Sequence, residues 1–246
     1  GTFGLDLGTF DSSPSSFTPE TPDDEDDEGY YGDERERTYN TYNMDLVDYV
    51  DLTKDKWQMP IIHKTNFVPD DLIGFKYVKA DNNENAEKAG IHYFIDDYQF
   101  ERLWNRPNEY IEIVRPYQCM LSPDFSLYTD MTMPTKIWNV YRSRLIGAYY
   151  QAQGIEVIPT VQWADADTFE FCFKGIERGG TVAVSTIGVK EDPECLELWH
   201  AGMQEMIKQL KPKTILVYGG ELEFDYGKIK VVYYKNHQLE KWHDNE

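Results

Sequence analysis

From Ile91 to Tyr234 short apolar runs alternate with helix-forming segments, and this alternation constrains the fold more than any other feature. Ile91–Ile95 (Ile-His-Tyr-Phe-Ile) reads as a strand, and Tyr98–Trp104 has helical spacing with Phe100, Leu103 and Trp104 on one side. Gln118–Leu121 is a second strand. Pro134 then opens a long helix, at a position where the missing N–H costs nothing, and Gly154 ends it. Ile137, Val140, Tyr141, Ile146 and Tyr149 form its packing face. Ile155–Val161, Thr181–Ser185, Thr214–Tyr218 and Ile229–Tyr234 read as further strands. Thr168–Ile176 and the amphipathic stretch Pro193–Leu210 read as the helices among them. Strands that alternate with helices pair in parallel through right-handed crossovers. The fold class expected is therefore α/β with a mainly parallel sheet. Two earlier strand-like runs, Pro60–His63 and Phe75–Lys79, bring the total to about eight, so an incomplete or distorted (β/α) barrel competes with an open sheet.

Ahead of this pattern the texture differs. Residues 1–55 read as an acidic disordered tail, and 56–246 as a single α/β domain. Residues 1–56 carry sixteen acidic and four basic side chains, a net charge of −12 within a chain total of −20. Asp23–Glu28 is an unbroken acidic run, and such a segment repels itself and buries little. Met44–Val50 is more apolar and suits docking on the domain or on a partner. The domain itself is only mildly acidic, which disfavours a broad electrostatic grip on nucleic acid.

The three cysteines, Cys119, Cys172 and Cys195, lack metal-ligand spacing and read as free thiols of a reducing compartment. No stretch has the apolar length of a membrane span, and the N-terminus lacks a signal-peptide pattern. A cytoplasmic protein is expected.

Both candidate architectures place functional groups at the carboxyl ends of strands. Those ends carry Asp96-Asp97, Ser122-Pro123-Asp124-Phe125-Ser126, Gln162-Trp163 with Asp165, Ser185-Thr186, and Tyr218-Gly219-Gly220-Glu221. Asp97, Asp124 and Asp165 are the candidate catalytic carboxylates. Gathered together they would hold a hard cation such as Mg2+ or Mn2+, or work as an acid/base pair whose charges push their pKa values apart. Helix capping is the competing role for Asp97, Asp165 and Asp167. Arg142 and Arg144 join the candidates as anion-binding groups. Two positions apart on one helix, they point to different sides; a buried ion pair to a carboxylate such as Asp124 is the structural alternative.

Several constellations are missing. No phosphate-binding glycine loop, zinc-protease His-Glu-x-x-His or nucleophile elbow is present.

Taken together, the motifs have a family likeness. Tyr93-Phe94-Ile95-Asp96-Asp97-Tyr98-Gln99-Phe100-Glu101 with Trp104 and Pro107, Ser122-Pro123-Asp124-Phe125-Ser126-Leu127-Tyr128, Trp138–Arg144, Ile158–Trp163 and Ser185-Thr186-Ile187-Gly188 resemble the domain of unknown function 4417 (DUF4417) family over about residues 57–235. The resemblance implies a bacterial, phage or mobile-element protein. It transfers no activity, cofactor or catalytic residue.

Three functions compete. The first is a metal-assisted hydrolase of a phosphodiester or nucleotide, with Asp97, Asp124 and Asp165 on the ion and Arg142 or Arg144 on the anion. The second is an interaction protein whose residues 1–55 engage a basic, DNA-binding partner. The third is a nucleotide or single-stranded nucleic-acid binding module that stacks bases on Phe125, Tyr128 and Trp163.

Overall fold

The structure, a computed structural model, describes residues 34–236. The chain divides into two compact units, Gly1–Tyr42 and Asn43–Glu246. In the first, helix α1 (Glu34–Thr41) buries none of its residues. The acidic run expected to be tail lies outside the described residues.

The second unit holds seven parallel strands: β1 (Leu72–Gly74), β2 (Gly90–His92), β3 (Met120–Leu121), β4 (Val157–Ile158), β5 (Thr181–Ser185), β6 (Thr214–Tyr218) and β7 (Lys230–Tyr234). They pair in chain order, β1-β2-β3-β4 and β5-β6-β7. A parallel bridge between Thr160 and Ala183 links the two sets just beyond β4. The helices between them are α2 (Val78–Asp81), α3 (Glu101–Asn105), α4 (Ile111–Val114), α5 (Met133–Ala152) and α6 (Pro193–Leu210). The α/β assignment with a parallel sheet is thus met.

Sequential parallel order has a physical consequence. Right-handed crossovers then set every helix on the same face, so the other face is buried only if the sheet curls on itself. Side-chain alternation reports that curl. Leu72, Leu121, Ile158, Ala183, Leu216, Tyr218 and Tyr234, drawn from six of the seven strands, form one cluster with Phe94 from just past β2. Their neighbours point the other way, where Ile91, Met120 and Val157 pack with α3, α4 and α5. Val182, Val184, Ile215 and Val217 likewise pack outward with α6. The result is an incomplete (β/α) barrel. Where an eighth strand would close it, the Tyr234 hydroxyl donates to the Pro69 carbonyl at 2.7 Å.

Several local expectations change. Phe75–Lys79 is not a strand but a 3-10 turn running into α2. Phe75 and Val78 are the buried pair, and a three-residue spacing is helical rather than extended. Pro60–His63 contributes only isolated bridges, Leu52 to Pro60 and Ile62 to Ile176. The helix expected over Thr168–Ile176 shrinks to the 3-10 segment Ala166–Glu170.

Packing also begins earlier than the change of texture at residue 56. Leu46, in the 3-10 segment Met44–Tyr49, is 2% exposed and belongs to the helix-side core. Val47 and Val50 pack beside it. Trp57 and Met59 join the second outer cluster.

Candidate functional site

The carboxyl end of β3 runs into Ser122–Ser126, and nearly every polar group of that loop is gripped. The Ser122 hydroxyl accepts the Thr160 N–H at 2.8 Å, and its carbonyl accepts the Thr160 hydroxyl at 2.6 Å, locking the ends of β3 and β4 together. Gln162 donates its amide to the Phe125 carbonyl at 2.6 Å. Asn139 of α5 donates to the Ser126 carbonyl at 2.6 Å. Asp97, in the loop after β2, accepts the Ser126 N–H at 3.0 Å on one oxygen and the Ser126 hydroxyl at 2.8 Å on the other. The expected capping role of Asp97 is therefore replaced by a clamp between two strand-end loops.

Asp124 sits inside this grip and differs from its neighbours. It is partly buried, and its carboxyl has no hydrogen-bond partner among the described residues. Burial pushes that carboxyl up to about 7, and the negative charge of Asp97 adds to the rise. Partial removal from water, without hydrogen-bond donors, disfavours the charged form of a carboxylate. The shift moves Asp124 toward the range where a carboxyl can both give and take a proton.

The arginines divide as their spacing requires. Arg142 leans toward this loop, with its guanidinium 3.9 Å above the Phe125 ring. It donates to Glu101 at 2.8 Å and to Asn139 at 2.8 Å, while its buried Nε has no partner. The carboxylate it pairs with is Glu101, not Asp124. Arg144 points the opposite way and is fully buried. Its guanidinium is spent on backbone carbonyls of Lys174, Thr160 and Cys172. Burial lowers its pKa to about 10, so it stays charged at neutral pH. Arg144 holds the segment between β4 and β5 and is not available to a ligand.

Asp165 has a charged partner of its own. It pairs with Lys136 of α5 at 3.1 Å, a lysine buried to 3% exposure that also donates to the Thr129 carbonyl. Asp165 precedes the 3-10 segment without capping it. Among the described residues no group of three or more His, Cys, Asp or Glu is placed to hold a metal ion. Asp97 and Asp124 lie close enough for their charges to interact, and Asp165 is paired with the buried Lys136.

Of the rings expected to stack bases, Phe125 is 0% exposed. Trp163 is turned toward α6, donating its indole N–H to the Leu198 carbonyl at 3.0 Å. Tyr128 is open, as is Tyr98 beside Asp97. Gln162, at a strand end already singled out in the sequence, completes the site with Asn139 and Glu101, which had no signal of their own, since a polar residue in a helix is ordinarily solvated.

Residues 52–235 match the family described as Domain of unknown function (DUF4417). The chain belongs to this family. Among curated proteins it is 41% identical over 163 residues to the Gene 1 protein of Mycobacterium phage L5, a stretch that covers 66% of this chain and 71% of that one. It is 40% identical over 163 residues to the Gene 1 protein of Mycobacterium phage D29, covering 66% of this chain and 60% of the relative. The phage kinship implied by the DUF4417 motifs is thereby met. No solved structure matches the chain. Among the described residues no helix is long and apolar enough to cross a membrane.

Proposed function

We propose that this DUF4417 protein is a hydrolase whose acid–base group is Asp124, presented at the carboxyl end of β3. The observation that carries the reading is the Asp124 carboxyl itself, held without a hydrogen-bond partner next to Asp97 and titrating at about 7. A carboxyl with a raised pKa beside a second carboxylate at a strand end is a common setting for acid–base chemistry. Asp97 fixes the loop and supplies the neighbouring charge. Tyr98 and Tyr128 flank the pair with exposed rings on which a flat group of a substrate can rest. Arg142 sets the Phe125 platform from behind.

A metal-assisted phosphodiesterase is the weaker form of the reading. It needs several oxygen ligands on one ion, and the neighbouring cations Lys136 and Arg142 are already paired with Asp165 and Glu101. The exposed tyrosines favour one second reading, a module that binds a nucleotide base without turning it over.

The experiment is a hydrolysis panel of p-nitrophenyl esters, glycosides, phosphates and bis-p-nitrophenyl phosphate, run with EDTA and with Mg2+ or Mn2+. Turnover of one class in EDTA is expected, with an ionisation near pH 7 and a loss of about 100-fold or more in Asp124→Asn. Equal rates for wild type and variant across the panel remove Asp124 from any chemistry. Turnover only with added metal returns the function to the metal-assisted form.

A further inference from the structure

At the opposite end of the strands, His63 lies between two carboxylates. Its Nε2 is 2.9 Å from an Asp51 oxygen, and its Nδ1 is 3.1 Å from a Glu177 oxygen. A carboxylate only accepts hydrogen bonds, and a neutral imidazole donates from one nitrogen alone. Both contacts are hydrogen bonds only when both ring nitrogens carry protons. In the neutral ring one of the two contacts becomes a lone pair facing an anion.

The surrounding chain makes the two partners unequal. Glu177 is anchored from elsewhere, since its carboxylate also accepts the Lys64 N–H at 3.1 Å and its own N–H donates to the Ile62 carbonyl at 3.2 Å. The Asp51 carboxylate takes no other hydrogen bond among the described residues. His63 is itself fixed by Gln151 of α5, which accepts its N–H at 2.8 Å and donates to its carbonyl at 2.9 Å. The charged groups facing the ring are thus Asp51 on the N-terminal arm and Glu177 beyond β4, with Lys64 close to Glu177.

We propose that His63 is a protonation-controlled clasp: as the imidazolium it adds a side-chain tie from the barrel to Asp51, beside the main-chain bond from the Ile61 N–H to the Asp51 carbonyl at 2.8 Å, and so tightens the arm Met44–Asp51; as the neutral ring it keeps Glu177 and releases the Asp51 side chain. The arm carries Leu46 into the helix-side core, so the clasp governs how firmly that segment covers α5. Net attraction from the two carboxylates outweighs the burial that opposes the charge, and the pKa of His63 rises above its ordinary 6.5. A histidine at an exposed site exchanges protons freely with solvent, and this side chain is 54% exposed. The clasp therefore releases its proton at a higher pH than an ordinary histidine does.

The test is an NMR titration of the histidine ring signals in the full chain, with the His63 signal identified by its loss in His63→Gln. Its midpoint is expected above 6.5, falling in both Asp51→Asn and Glu177→Gln. Hydrogen exchange across residues 44–51, corrected for its intrinsic pH dependence, is expected to be faster above the midpoint in wild type, with no such step in Asp51→Asn. A midpoint at or below the ordinary value overturns the proposal. So does protection of residues 44–51 that is the same on both sides of the midpoint. Because Asp51→Asn only removes a surface charge, it carries the test even if His63→Gln fails to fold.

Discussion

Asp124 illustrates how a single residue couples stability to chemistry. Its pKa in the folded chain, about 7, exceeds the ordinary aspartate value of 3.8. Between those two values the folded state binds more protons than the unfolded state, so stability falls as pH rises through that window. Asp124→Asn removes the term. The variant is expected to match wild type near pH 4, to gain progressively to about pH 7, and to hold a constant gain above it. A three-unit shift corresponds to at most ~4 kcal/mol, and partial solvent access brings the expected gain at pH 8 to about 2 kcal/mol. Urea denaturation of both proteins at pH 4.5 and pH 8 checks this. The sequence placed Asp124 at a strand end, but not its isolation from donors. Arg144 was legible as an anion-binding candidate or a buried ion-paired arginine; its partners are backbone carbonyls of Lys174, Thr160 and Cys172, which no side-chain pattern records.

At the scale of elements, the loop Ser122–Ser126 is rigid because three separate elements hold it. Asp97 reaches it from beyond β2, Asn139 from α5 and Gln162 from beyond β4. Ser126→Ala removes one charge-assisted bond to Asp97 and should cost about 1–3 kcal/mol. Thr132→Ala at the start of α5 is the contrasting case. The Thr132 hydroxyl caps no backbone N–H and meets only the exposed Thr135 hydroxyl, so its cost should stay within about 0.5 kcal/mol. Paired denaturation curves of the two variants measure the difference. Strands β2 to β7 and the two long helices were readable in sequence, and the 3-10 segments were not. α6 has an Asp192 cap, Pro193 in its first turn and a repeating apolar face. The 3-10 segment Ala166–Glu170 shares the turn chemistry of a helix start but is too short for periodicity to set its end.

For the whole molecule, the N-terminal boundary of the packed unit is the measurable consequence. A chain starting at Asn43 keeps Leu46, Val47 and Val50 on the helix-side core and Met59 in the second cluster. A chain starting at residue 56 loses the first three, uncovers part of α5, and gives up the Asp51 contact of His63. Its melting temperature should fall by roughly 10 °C or more relative to the chain starting at Asn43, since losing Leu46 alone costs about 2–5 kcal/mol of burial. Equal melting temperatures would show that the arm adds nothing to the barrel.

The order of strands and helices, the parallel pairing and the strand-end positions of the candidate residues followed from the sequence alone, because side-chain periodicity and crossover handedness are local properties. The closing of the sheet into an incomplete barrel, the partnering of Asp97 with Ser126 and the withdrawal of Asp165 to Lys136 were decided only by the tertiary structure. Each depends on which side chains meet across long sequence separations, and hydrogen-bond partners of that kind are chosen by packing rather than by neighbours in the chain.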